Sequence, residues 1–145
     1  MKEEILRKLD ELFLNEPALA AGKASAADVV DVERKLGVVF PDSYRCFVER
    51  YGGAVVGSMP VFGVRRSEVM GVDDLVLNAT ESFRREDWGL SGEWMVISMD
   101  HAGNPVCMNR TGEVVSLDHD SVGRVLPGPT TFEGFVRCLL GSEEG

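Results

Sequence analysis

The chain has two histidines, His101 and His119, and both sit among aspartates: Asp100 precedes the first, while Asp118 and Asp120 flank the second. Two imidazoles with a carboxylate could hold a divalent transition metal, and paired carboxylates could transfer protons. The same residue types also serve tight turns, because Asp, Asn and Gly accept local hydrogen bonds and unusual backbone angles. The segments Asp100-His101-Ala102-Gly103-Asn104 and Asp118-His119-Asp120 thus fit a metal or acid–base site, a solvated turn, or an acidic rim facing a partner. Nothing in the sequence makes the two imidazoles converge, so the turn and rim readings are preferred. No catalytic, cofactor-binding or metal-ligating residue is assigned, and no cofactor is expected. Asp100, His101, Asp118, His119 and Asp120 are the candidate partner-binding residues.

The other reactive groups read as structural. Cys46, Cys107 and Cys138 lie far apart with no Cys-x-x-Cys pair, so neither a disulfide framework nor a zinc ribbon is indicated, and each is expected to fill core. Trp88 and Trp94 flank a glycine-containing loop. They read as core residues first, with Trp88 also a candidate interface anchor because tryptophan is enriched at binding hot spots. Walker, dinucleotide-binding, HExxH and GxSxG signatures do not occur.

The spacing of apolar residues supplies the elements that must position these groups. Ile5, Leu6, Leu9, Leu12 and Phe13 predict an amphipathic helix ending near Asn15 and Pro17, followed by a loop over 18–24. Ser25 and Asp28 stand at capping-box spacing for a second helix that turns Val29, Val30, Val32 and Leu36 inward and stops at Gly37. Pro41 suits the first turn of a third helix, carrying Tyr44, Phe47, Val48 and Tyr51 on one face and ending at Gly52-Gly53. Strands are expected at Val55-Val56 and Val61 to Val64, separated by Gly57, Ser58 and Pro60, and a helix over 72–85. Three further strands, 94–99, 106–109 and 113–117, form a meander. Its first turn and the segment after its third strand meet at one end of the sheet, which is why the two Asp/His segments should approach. A loop over 126–129, a helix capped by Thr130 with Glu133 that presents Phe132, Phe135, Val136, Leu139 and Leu140, and an acidic tail from Gly141 to Gly145 complete the chain. The acids Asp28, Asp31, Glu33, Asp73, Asp74, Glu81, Glu86 and Asp87 read as wet helix faces.

A length of 145 residues suits one α+β domain with a mostly antiparallel central sheet of four to six strands and helices packed around it. At 44% apolar and 27% charged, the composition is that of an ordinary globular protein. With 24 acidic against 15 basic residues the formal charge is -9, which disfavours nucleic acid and anionic membranes as partners and favours encounter with a basic protein. The charged N-terminal segment lacks a signal peptide's apolar run, so a cytoplasmic location is expected. Oligomeric state is not legible.

The order Leu36-Gly37, Phe40-Pro41-x-x-Tyr44-x-x-Phe47, Tyr51-Gly52-Gly53, Asp100-x-x-Gly103-Asn104, Gly112-x-Val114, Leu117-Asp118-His119-Asp120 and Phe132-x-x-Phe135-x-x-x-Leu139 resembles the SUKH superfamily, over residues 25 to 140. That superfamily includes a yeast cell-wall assembly (glucan synthesis) regulator and many small bacterial proteins. The resemblance implies an α+β sheet with packed helices and, for bacterial members, frequent service as immunity proteins against toxins, often nucleases. Regulators and scaffold-like members are also known. On this reading Leu36, Gly37, Pro41, Tyr44, Phe47, Gly52, Gly53, Gly103, Asn104, Phe132 and Phe135 are structural motif positions, and the partner would be a basic toxin domain. Two positions depart from the family pattern: Tyr51 stands where asparagine is frequent, and Asn104 where aspartate is frequent.

Overall fold

The computed structural model describes residues 1–86, 88 and 92–144, the side chains of 142–144 excepted. Asp87, residues 89–91 of the expected Trp88 to Gly92 loop, and Gly145 lie outside it. Among the described residues are helices α1 (Glu3–Asn15), α2 (Ala26–Leu36), α3 (Asp42–Tyr51), α4 (Val76–Arg85) and α5 (Phe132–Glu144). They surround a six-stranded sheet of β1 (Ala54–Val56), β2 (Met59–Val61), β3 (Met95–Met99), β4 (Pro105–Met108), β5 (Val114–Leu117) and β6 (Val125–Leu126). The strands lie in chain order and every pairing is antiparallel, so the fold is the expected α+β class.

The helix boundaries follow local chemistry. Ser25 Oγ accepts the Asp28 N–H at 3.1 Å and opens α2, and Gly37 closes it in the left-handed conformation at φ 71°. Val30 departs from expectation: it is 56% exposed, because Val29, Val32 and Leu36 already fill the buried stripe. Pro41 sits just before α3 rather than in its first turn. Thr131, not Thr130, caps α5, its Oγ1 accepting the Gly134 N–H at 3.0 Å, and the helix runs through the expected tail to Glu144. α4 begins only at Val76, since 72–74 form a turn.

Two strand expectations need correction. β2 is Met59–Val61 rather than 61–64, and it contains Pro60. Proline is tolerable there because the ladder to β3 pairs only Val61 with Ser98, so its missing N–H removes little. Leu126, the first residue of the expected loop, and Val125 just before it pair with Ser116 and Leu117 as β6. Beyond the single β2–β3 pair, the edge of β3 is satisfied from a helix. Thr80, fully buried on α4, accepts the Val96 N–H through Oγ1 at 2.9 Å.

α3 and α5 pack through edge-to-face aromatic rings. Tyr44 meets Phe40 at 4.9 Å and Phe132 at 5.3 Å, and Phe47 meets Phe132 at 5.5 Å and Tyr51 at 5.2 Å. Such pairs add about 0.5–1.5 kcal/mol beyond the apolar area they bury. The Tyr44 hydroxyl donates to the Phe62 carbonyl at 2.5 Å, and full burial pushes its pKa far up. Leu36 and Phe135 are buried as their motif positions require. Cys107 is buried and its thiol is pushed up to about 12 by desolvation, but Cys46 is half-buried and Cys138 is exposed, so only one cysteine is a full core residue.

Glu33, expected on a wet face, is instead 8% exposed. One oxygen accepts the Phe40 N–H at 2.7 Å and pairs with Arg45, pinning the segment between α2 and α3. A buried carboxylate persists only with such partners.

The glycines after α3 do more than end a helix. The backbone of 52–53 receives Arg65 N–H on Gly52 O at 3.0 Å and Ala21 N–H on Gly53 O at 2.9 Å, so three chain segments cross there. A Cβ on Gly63 would lie 2.0 Å from Gly52 O, and one on Gly52 would lie 2.3 Å from Gly22 O. Only glycines permit this crossing.

Candidate functional site

The β3–β4 turn and the segment after β5 do meet at one end of the sheet, and Asn104 joins them. Asp100 shapes the turn: Oδ1 accepts the N–H groups of Ala102 and Asn104, both at 2.9 Å, and Oδ2 accepts Asn104 Nδ2 at 3.0 Å. Burial alone would raise the Asp100 pKa. The hydrogen bonds from the Asn104 backbone and side chain and from Ala102 outweigh it and hold the carboxyl below its ordinary value. Asn104 Oδ1 then reaches across to accept the His119 N–H at 3.0 Å and to contact His119 Nδ1 at 2.7 Å.

The segment after β5 is a second self-braced turn. Asp118 Oδ1 accepts the Asp120 N–H at 2.9 Å, its Oδ2 lies 3.4 Å from Arg124 Nη1, and His119 Nε2 faces Asp120 Oδ1 at 3.2 Å. Among the described residues Asp118, His119 and Asp120 are the one group whose donor atoms could share a metal ion, all within 4.8 Å of one another. His101 is exposed and is not part of it, so the two imidazoles do not converge. Asp118 and His119 are already committed to turn contacts. The arrangement therefore presents the Asp120 carboxylate and the His119 imidazole to solvent, on turns that the Asp100 and Asp118 carboxylates brace through backbone hydrogen bonds.

Both departures from the family pattern carry contacts. Asn104 is the link between the loops, and the Tyr51 hydroxyl donates to Asp10 Oδ1 at 2.7 Å while its ring packs on Phe13 at 5.0 Å. Burial, first, and the Asp10 carboxylate push the Tyr51 pKa up to about 12.

Sequence reasoning missed a cleft of about 350 Å³ between α4 and the β3–β4 strands. Its apolar wall comes from Phe62, Phe83, Val96, Met99 and Pro105, and its mouth carries Asp73, Asp74, Arg85 and Glu86. Trp88 forms one side, stacked on Phe83 at 5.6 Å with Nε1 donating to Glu86 Oε2 at 2.9 Å. Trp88 and Trp94 are both partly buried against the core. The one available signal is the helical spacing of Ala79 and Phe83 within the expected 72–85 helix, a spacing that ordinary core also gives.

A SUKH family model described as SMI1-KNR4 cell-wall matches residues 2–137, and the chain belongs to this family. No curated protein matches it. Among solved structures, a protein from Pseudomonas syringae pv. tomato is similar over 94% of this chain and 96% of its own, at 16% identity with a TM-score of 0.63. That likeness concerns the fold. No helix among the described residues is long and apolar enough to cross a membrane.

Proposed function

We propose that the chain is a non-catalytic protein-binding domain, an immunity protein that neutralises a basic bacterial toxin in the cytoplasm. The observation that supports this is the acidic end of the sheet, where hydrogen bonds fix the Asp100 and Asp118 carboxylates and the Asp120 carboxylate stands exposed beside them, on a chain of net charge -9. Preorganised carboxylates steer a cationic partner at long range and lose little side-chain freedom on contact. Partner binding through this rim needs no bond-making group.

Co-expression with toxin domains encoded beside the gene tests the reading: growth rescue together with a purified complex is expected. Asp120→Lys should leave the fold intact and slow association, with a weaker salt dependence. Absence of both rescue and binding would rule out the immunity role. The family's cell-wall description favours a second reading, a regulatory module for an endogenous protein, which predicts a stable complex without any toxicity to relieve.

A further inference from the structure

The cleft under α4 is not used by the rim, yet it adjoins it. Met99 and Pro105 are paired in register and bracket the turn that runs from Asp100 to Asn104. Both also line the cleft, and Met99 is 39% exposed. The apolar wall therefore runs directly into the acidic turn, and the two form one continuous surface.

We propose that this cleft seats a single apolar side chain from the protein partner, on a segment that carries Lys or Arg beside it. The proposal rests on the protein-binding reading and adds the place and chemistry of the contact. A volume of about 350 Å³ lies at the small end of the range of ligand pockets, roughly 300–1,000 Å³, and suits one or two side chains rather than a folded element. Phe62, Phe83 and Val96 supply apolar contact, which is what an inserted aliphatic side chain requires.

The mouth fixes the sign of the flanking charge. Asp73, Asp74 and Glu86 stand there against one guanidinium, Arg85. Asp74 Oδ2 accepts the Gly71 N–H at 2.9 Å, and Glu86 accepts Trp88 Nε1, so two of the carboxylates are held in place. An apolar centre inside a charged border is the arrangement of binding hot spots, and the border's sign excludes acidic segments.

Amide NMR titration of the full chain with two blocked tripeptides, acetyl-Arg-Leu-Lys-amide and acetyl-Glu-Leu-Glu-amide, tests this at about 10 mM, a concentration suited to one weak anchor. The cationic peptide should shift the amides of Phe83, Val96 and Met99, with the response shrinking as salt is raised. The acidic peptide should not. Silence from both peptides, equal shifts from both, or shifts confined to other surfaces would each overturn the proposal. Ala79→Trp fills the cleft and should weaken the cationic response by about tenfold or more. Ser82→Trp, an exposed position on the same lining, serves if the first variant fails to fold. A cognate partner that binds wild type and cleft-filled protein equally would overturn the cleft as the seat while leaving the protein-binding reading intact. If wild type recovers no partner, that reading fails, and the peptide titration still decides what the cleft accepts.

Discussion

Around α3 and α5 the core is closed by aromatic rings that meet edge to face, with Tyr44, Phe47 and Phe132 essentially without exposed surface. Around α4 the packing is looser. Phe83 and Trp88 stack beside an open cleft, and one threonine hydroxyl substitutes for a missing strand pair. The first region is held by dense contact that penalises every lost methylene, and the second by a few specific bonds around a space. The contrast predicts that substitutions cost more stability in the first region than in the second, which has an open cleft to present as a surface.

The harshest disruption should come from Gly63→Ala, whose methyl would strike the Gly52 carbonyl with no flexible group to yield. A loss above about 4 kcal/mol is expected in chemical denaturation, at the extreme of single substitutions. Phe132→Ala should cost about 3–5 kcal/mol by leaving a cavity against the Tyr44 and Phe47 rings, and Phe83→Ala clearly less because its site already borders open space. Equal losses for the two phenylalanines would erase the contrast between the regions. Thr80→Val keeps shape but strands the Val96 N–H, with an expected cost of about 1–3 kcal/mol. Unchanged stability there would mean that the α4 side does not depend on this bond.

The smallest effect concerns pH. The Asp100 carboxyl titrates below its ordinary 3.8 in the folded chain, so its contribution is complete above that pH and is lost as pH falls through the lowered value. The melting-temperature gap between wild type and Asp100→Asn should be constant above pH 4 or so and close in stronger acid. A gap that persists unchanged into acid would show that charge on Asp100 does not brace the turn.

Periodic signals were the legible ones. Helices with a continuous apolar stripe, such as the Tyr44 to Tyr51 face, and strands between clear turns, such as 95–99, stand in the sequence because burial imposes their period. The approach of the two Asp/His segments was also readable, since meander topology alone brings their strand ends together. What was hidden depends on partners distant in the chain. Glu33 looks solvated until Arg45 and the Phe40 N–H are seen beside it, and Pro60 looks like a turn until the near-absence of β2–β3 pairing is known. The cleft had no sequence signature because a space is defined by what fails to fill it, and Cys138 lay outside the buried face for lack of a facing partner in the period.

The lone Val61–Ser98 rung has a dynamic consequence. It divides the sheet into a β1–β2 ribbon tied to the glycine crossing and a meander whose contacts are mostly between neighbours in sequence. Local pairings close early in folding, and long-range ones wait for the entropy of loop closure to be overcome. The meander, with the acidic turn at its end, is thus expected to form as its own cooperative unit, with the ribbon docking afterwards. Native-state hydrogen exchange would show this as two tiers of protection that meet at β3, so the surface offered to a partner would persist through partial openings of the other half.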